Sequence, residues 1–242
     1  MKPEHELAPF HTDPLPSARG PWLVFAPHPD DESFGMGGTL AMAQAEGIAT
    51  RVVVMTDGAL GGSGDDLVQR RQAEVHGAAT LLGVHSVQFL NQPDRGLRIS
   101  EALLQQIIVL ITTLKPAAVF FPGLQELHPD HRTTALLVWE ALQRMGTPAP
   151  QAISYEITGQ SPVNCLIDIS PKMAIKLKAI GVYQSQLGEN NYLDIIKALN
   201  RLRTLTLPRE VEWAEGFYRY TPAELALGPS LWAQRRVLSM LE

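Results

Sequence analysis

Hydrophobic positions in this chain fall into two kinds of block that take turns. Short continuous apolar runs occur at 22–27 (WLVFAP), 51–56 (RVVVMT), 86–90 (SVQFL), 117–122 (AAVFFP) and 152–157 (AISYEI). Runs of that length, rich in β-branched and aromatic residues, read as strands, and the unbroken run 22–27 as one buried in a parallel sheet. Between them lie longer stretches with helical character at 34–47, 65–83, 100–115 and 130–146. Asp65 and Ser100 open two of these stretches, and Gly47 and Gly83 close two, as helix ends require. Alternating strands and helices predict an α/β fold: a doubly wound, mainly parallel, Rossmann-like sheet flanked by helices, in a single domain.

The alternation weakens after residue 158. Residues 164–170 (NCLIDIS) read as a further strand, and 171–187 and 191–206 as helices. The aromatic stretch 213–220 (WAEGFYRY) reads as a late strand or a pocket wall. Residues 1–21 hold five prolines and little periodicity, and read as an extended arm before a domain spanning 22–242.

Composition narrows the function. The 242 residues are 45% hydrophobic, enough for a sizeable core, and the net charge is −5 with both signs spread along the chain. No basic patch or run points to nucleic acid or an anionic membrane. The greasiest stretch, 103–114, carries two glutamines and stops at Lys115-Pro116, too short to span a bilayer. With Cys165 as the only cysteine, no intramolecular disulfide forms and no multi-cysteine zinc site exists. The N-terminus has no apolar signal region, so a reducing, cytoplasmic setting is expected. A homo-oligomer is compatible with all of this.

Two polar clusters stand out against the apolar pattern. His28-Pro29-Asp30-Asp31-Glu32 follows the first predicted strand, and His128-Pro129-Asp130-His131 comes shortly after the fourth. Ligands of open parallel sheets bind beyond the carboxyl ends of strands, where strand order reverses. In the order 3-2-1-4-5 the first and fourth strands are neighbours, so the two clusters would share one crevice. Two histidines and a carboxylate are a common zinc-ligand set that leaves a position for water. A spare carboxylate can then serve as general base, and a spare histidine can stabilise charge or protonate a leaving group. Each cluster alone also reads as a turn, in which Pro fixes φ and Asp caps the next helix. Two such clusters, each between a strand and a helix, favour a metal hydrolase site.

The residues PHPDDESFGMGGTLA and HPDHR, in this order on this α/β pattern, resemble the LmbE-like, PIG-L superfamily of zinc-dependent N-acetylglucosaminyl deacetylases. VVVMTDG, RRQAE, FLNQPDRGL and YQSQ extend the resemblance over most of the chain. It implies that His28, Asp31 and His131 bind zinc, for which Fe(II) is a possible substitute on such a donor set. It implies that Asp30 is the general base, that His128 stabilises the oxyanion or protonates the amine, and that Asp130 orients a histidine. Arg71 and Asp94 are the expected contacts to a small N-acetylated substrate. Arg71 and Glu74, three apart on a helix, could instead pair with each other, and Asp94 could simply form a turn.

The sequence departs from the family in two loops. Residues 58–66 lack an arginine that many relatives carry after TDG, and Glu126 and Leu127 stand where some thiol-cofactor deacetylases have a tyrosine. These loops bear on substrate choice, so a non-sugar amide in secondary metabolism, or a non-catalytic metal- or sugar-binding module, are the rival readings. GMGGT at 35–39 invites a dinucleotide site, but Leu40 breaks the glycine pattern and the preceding loop is acidic. Those glycines instead read as close packing of helix on sheet.

Overall fold

A computed structural model describes residues 9–16, 20–146 and 149–238. Its core is a sheet of seven strands in the order β3-β2-β1-β4-β5-β7-β6. The strands are β1 (Trp22–Ala26), β2 (Thr50–Thr56), β3 (Ser86–Gln92), β4 (Ala118–Pro122), β5 (Gln151–Tyr155), β6 (Cys165–Asp168) and β7 (Ala214–Tyr220). The first five run parallel in the expected order. Beyond β5 the sheet turns antiparallel through β7 and β6, so the 213–220 stretch is a strand inside the sheet.

Both faces of the sheet are covered, which is why β1 reads as an unbroken apolar run. Trp22, Val24 and Ala26 face one core, under α1 (Asp31–Ala45), α2 (Leu67–Leu82) and α5 (Met173–Ile180). Leu23 and Phe25 face the other, under α3 (Glu101–Leu114) and α4 (Pro129–Met145). The predicted helix 171–187 is broken at Gly181 into α5 and the short α6 (Gln184–Leu187). A further amphipathic helix, α7 (Tyr192–Leu202), follows. Two helices had no signal in the pattern: α8 (Pro222–Leu227) and α9 (Pro229–Leu238). Their apolar positions, Leu225 and Trp232, close the second core.

The described part of the arm is tied to the far sheet edge. Asp13 donates its N–H to Leu166 O and accepts the Leu166 N–H on its carboxylate. No helix among the described residues is long and apolar enough to cross a membrane.

The glycines of GMGGT serve packing. A Cβ on Gly35 would lie 2.4 Å from the Tyr155 ring, and one on Gly38 would lie 2.7 Å from Ile169. Met36, with φ −137° and ψ 23°, kinks α1 between them. The helix restarts with Gly38 N–H and Thr39 N–H donating to the Glu215 carboxylate at 2.9 and 2.8 Å. Lys176, fully buried, donates in turn to Glu215 at 2.7 Å and to Asn200 at 2.8 Å. The C-terminal elements thereby hold the helix that begins at the first polar cluster.

Candidate metal centre and cleft

The switch point of the sheet lies between β1 and β4. The chain leaves β1 through the 27–30 turn, after which Asp31 Oδ2 accepts the backbone N–H of His28 at 2.8 Å and is thereby fixed beside that residue. It leaves β4 through a loop ending at His128, the N-cap of α4, with Pro129 in the first turn, where its missing N–H costs nothing. His131 sits on that first turn and faces the β1 exit.

Three donor atoms converge there. His28 Nδ1 lies 3.1 Å from Asp31 Oδ2 and 3.2 Å from His131 Nε2. His131 Nε2 closes the triangle, 3.2 Å from Asp31 Oδ2. Donors about 2.1 Å from a tetrahedral zinc would be separated by about 3.4 Å, so the set is close to the size such an ion needs. All three residues are buried.

The outer nitrogen of each imidazole meets carboxylate. His28 Nε2 lies 3.3 Å from both Asp94 Oδ1 and Asp130 Oδ2. His131 Nδ1 lies 3.3 Å from Glu126 Oε2. In the neutral ring, an N–H donated to each carboxylate leaves the other nitrogen unprotonated and aimed at the triangle, the arrangement typical of metal-binding histidines. His28, Asp94 and Asp130 also form a compact donor group, as do His28, His128 and His131. The first group lies on the outer side of His28, where it orients the ring.

Charge follows the geometry. Burial works against an ionised Asp31, but the imidazoles of His131 and His28 outweigh it and hold its carboxyl well below the usual range. Burial likewise opposes a charged His131, yet Asp31 and Glu126 raise it to about 9. Asp30 is different. Burial pushes its carboxyl up to about 7, Arg71 opposes the rise and Asp31 adds to it. His128, only partly buried, is lowered by burial and by the neighbouring His28 and His131. Its Nδ1 accepts the Asp130 N–H at 3.2 Å, which leaves Nε2 to carry the ring proton.

Arg71 is 2% exposed and spends its guanidinium internally. It donates to Asp30 Oδ2 at 3.1 Å, Gly58 O at 2.9 Å and Pro29 O at 3.2 Å. The alternative pairing with Glu74 does not form: Glu74 instead accepts Ser185 N–H and Oγ–H at 2.8 and 2.5 Å. Asp94 is buried, accepts the Leu60 N–H at 2.9 Å and abuts His28. Both residues border a cleft of about 360 Å³ whose floor holds His28, Asp30, Asp31, His128 and His131. Tyr192, Ile195 and Ile196 of α7 wall one side, and Arg95 lies at the rim.

One support escaped the sequence reading, and a second, Glu32, reads there only as a carboxylate behind the ligands or a helix-start charge. Glu126, noticed there only as a departure, is buried and accepts from Ile157 N at 2.7 Å and Thr158 Oγ1 at 2.5 Å besides holding His131. Glu32 accepts from Tyr183 OH at 2.5 Å and from Ser33 Oγ, which connects the first cluster to the YQSQ segment. Gln186 of that segment donates to Gly61 O at 2.8 Å. No periodicity rule relates the loop carboxylate Glu126 to His131, or Glu32 to Tyr183 far along the chain, so neither contact had a sequence signal beyond the residue type.

The fold and site together define an α/β protein with a two-histidine, one-carboxylate centre able to hold a divalent metal at the sheet's switch point. The chain belongs to the PIG-L family: the family model described as GlcNAc-PI de-N-acetylase matches residues 23–142. A diacetylchitobiose deacetylase of Thermococcus kodakarensis is 31% identical over 190 residues, covering 69% of this chain and 70% of that protein. A probable N-acetyl-alpha-D-glucosaminyl L-malate deacetylase 2 of Bacillus subtilis is 28% identical, over 68% of this chain and 82% of its own length. The structure of N,N'-diacetylchitobiose deacetylase from Pyrococcus horikoshii, complexed with its inhibitor MPG, aligns with a TM-score of 0.78 and 27% identity over 87% of each chain.

Proposed function

We propose that this chain hydrolyses the acetamide of a small N-acetylglucosamine-type molecule, with His28, Asp31 and His131 as ligands of a zinc ion. The observation that carries the reading is the triangle of two imidazole nitrogens and one carboxylate oxygen, 3.1 to 3.2 Å apart, beside a separate buried carboxylate that takes no part in it. Zinc bound there would supply Lewis acidity toward a carbonyl oxygen and lower the pKa of water.

The remaining chemistry belongs to the protein. Asp30, held by Arg71, accepts the proton of the attacking water. His128 donates from Nε2 to the carbonyl oxygen as charge develops, or to the departing amine. Asp130 and Asp94 keep His28 in the ligating tautomer, and Glu126 does so for His131. Arg71 and Asp94 line the cleft, where in this reading a sugar hydroxyl would meet them only beside the bonds they already make to Asp30 and His28. The substrate is a small molecule and the compartment the cytoplasm, where the buried free thiol of Cys165 stays reduced.

The test is amine release from a panel of N-acetylglucosaminides by zinc-loaded protein, with Fe(II)-loaded protein run beside it. Asp30→Asn and His128→Ala are each expected to lower kcat by roughly 10² to 10⁴ while metal content stays at the parent level. Absence of amine release from every substrate, or an Asp30→Asn enzyme as fast as the parent, refutes the reading. Loss of zinc from His128→Ala would refute the division of roles between His128 and His131.

A further inference from the structure

Arg95 combines three features that its neighbours do not share. It borders the cleft, it is exposed, and its backbone has φ 54°, in the left-handed region that glycine favours. A side chain there costs about 1 kcal/mol or more, and such strain gathers where a side chain is used. The backbone is locked in place, because the Arg95 N–H donates to Asp130 Oδ2 at 2.7 Å. The guanidinium is not. Its hydrogen bond to protein, among the described residues, is one long contact from Nη2 to Leu60 O at 3.4 Å, with no carboxylate partner.

The contrast with Arg71 is direct. Arg71 is buried and its two terminal nitrogens are engaged by Asp30 and two carbonyls. Arg95 keeps its donors open at the mouth, anchored through its own backbone to the carboxylate that orients His28. The cleft's carboxylates are Asp30, Asp31 and Asp94, and its other guanidinium, Arg71, is taken up by Asp30 and backbone carbonyls, so apart from the imidazoles of the centre Arg95 is the cation left open to an anion.

We propose that Arg95 forms a subsite for an anionic group, a carboxylate or a phosphate, on the part of the substrate that protrudes from the cleft. This rests on the deacetylase reading and specifies the substrate class for it. A guanidinium binds either group through paired N–H donors, and a charge-assisted bond of this kind is stronger than a neutral one.

Arg95→Gly is the informative variant. Glycine accepts φ 54° without strain and keeps the N–H bonded to Asp130, so the fold is retained while the cation is lost. Binding to zinc-loaded protein is measured by calorimetry in the Asp30→Asn background, so that the probes are bound without being turned over. The probes are N-acetylglucosamine 1-phosphate, an N-acetylglucosaminide of a hydroxycarboxylic acid, and neutral N,N'-diacetylchitobiose. In Arg95→Gly the Kd of an anionic probe should rise roughly tenfold or more relative to that of the neutral probe. Arg95→Lys should recover part of the loss, and the difference should shrink at high salt. A change confined to the phosphate probe or to the carboxylate probe identifies which anion the subsite takes. An unchanged ratio for both anions, or equal weakening of all three probes, overturns the proposal. Failure of the deacetylase reading shows separately, as absence of amine release from every probe by protein that keeps Asp30.

Discussion

Glu126 offers the sharpest test of how the centre is held. Its two carboxylate oxygens accept from four donors: Ile157 N–H at 2.7 Å, Thr158 N–H at 3.2 Å, Thr158 Oγ–H at 2.5 Å and His131 Nδ1–H at 3.3 Å. The side chain is 1% exposed, so water cannot substitute. Glu126→Gln keeps the shape but leaves one acceptor oxygen where two are needed. If the amide nitrogen faces Ile157 N–H, two donors oppose each other. If it faces His131, Nδ1 must become the acceptor and the proton moves to Nε2, the atom that completes the donor triangle. Either outcome disfavours the ligating tautomer. Loss of such an outer partner weakens metal binding roughly 10- to 100-fold, which corresponds to about 1.4 to 2.7 kcal/mol. Glu126→Ala adds orphaned buried donors at Ile157 and His131, so its folding stability should fall by on the order of 3 kcal/mol. Zinc affinity is read by competition with a chromophoric chelator, and stability by urea unfolding of the metal-free protein. A Gln variant that binds zinc within a factor of about three of the parent would refute the tautomer argument, since the expected loss starts near tenfold.

Two further expectations concern the scaffold behind the centre. Gly38→Ala, which on an open helix would stabilise, should here destabilise by roughly 1 to 3 kcal/mol, because its Cβ would meet Ile169 at 2.7 Å. Thermal unfolding reads it, and a Tm equal to or above the parent's would mean the helix and sheet can part without cost. Lys176→Ala removes the cation beside buried Glu215 and should cost about 3 to 5 kcal/mol, whereas Lys176→Met, which fills the volume, should not recover the loss unless Glu215 is also replaced by Gln. Equal stability of parent and Lys176→Ala in urea unfolding would show that the two backbone N–H groups on Glu215 suffice to hold its charge.

Much of this molecule was legible along the chain. β1, β2, β4 and β5 and the helices between them follow from run length and period, because a strand covered on both faces has no polar side to show and a helix covered on one does; β3, at the sheet edge, is partly exposed and reads only as a short run. The first five strands have the order 3-2-1-4-5 supposed for a doubly wound sheet, an order that alternation alone does not fix. The C-terminal third was read less well. α8 and α9 are short, and what holds them is contact with Trp139 and Tyr220 through Leu225 and Trp232, not periodicity of their own.

The two polar clusters were visible as anomalies, acid and imidazole placed where apolar strands end. That His28 and His131, 103 residues apart, bring nitrogens within 3.2 Å of each other was decided by the neighbouring positions of β1 and β4 in the sheet. The partners that set tautomers and charges lie on other elements: Glu126 in the loop before α4, Asp94 after β3, Arg71 on α2. Sequence alone determined which residue types the site contains, since chemistry and local turns are written in short stretches. Only the tertiary structure decided what each of them touches, because hydrogen bonds between distant segments leave no period in the chain.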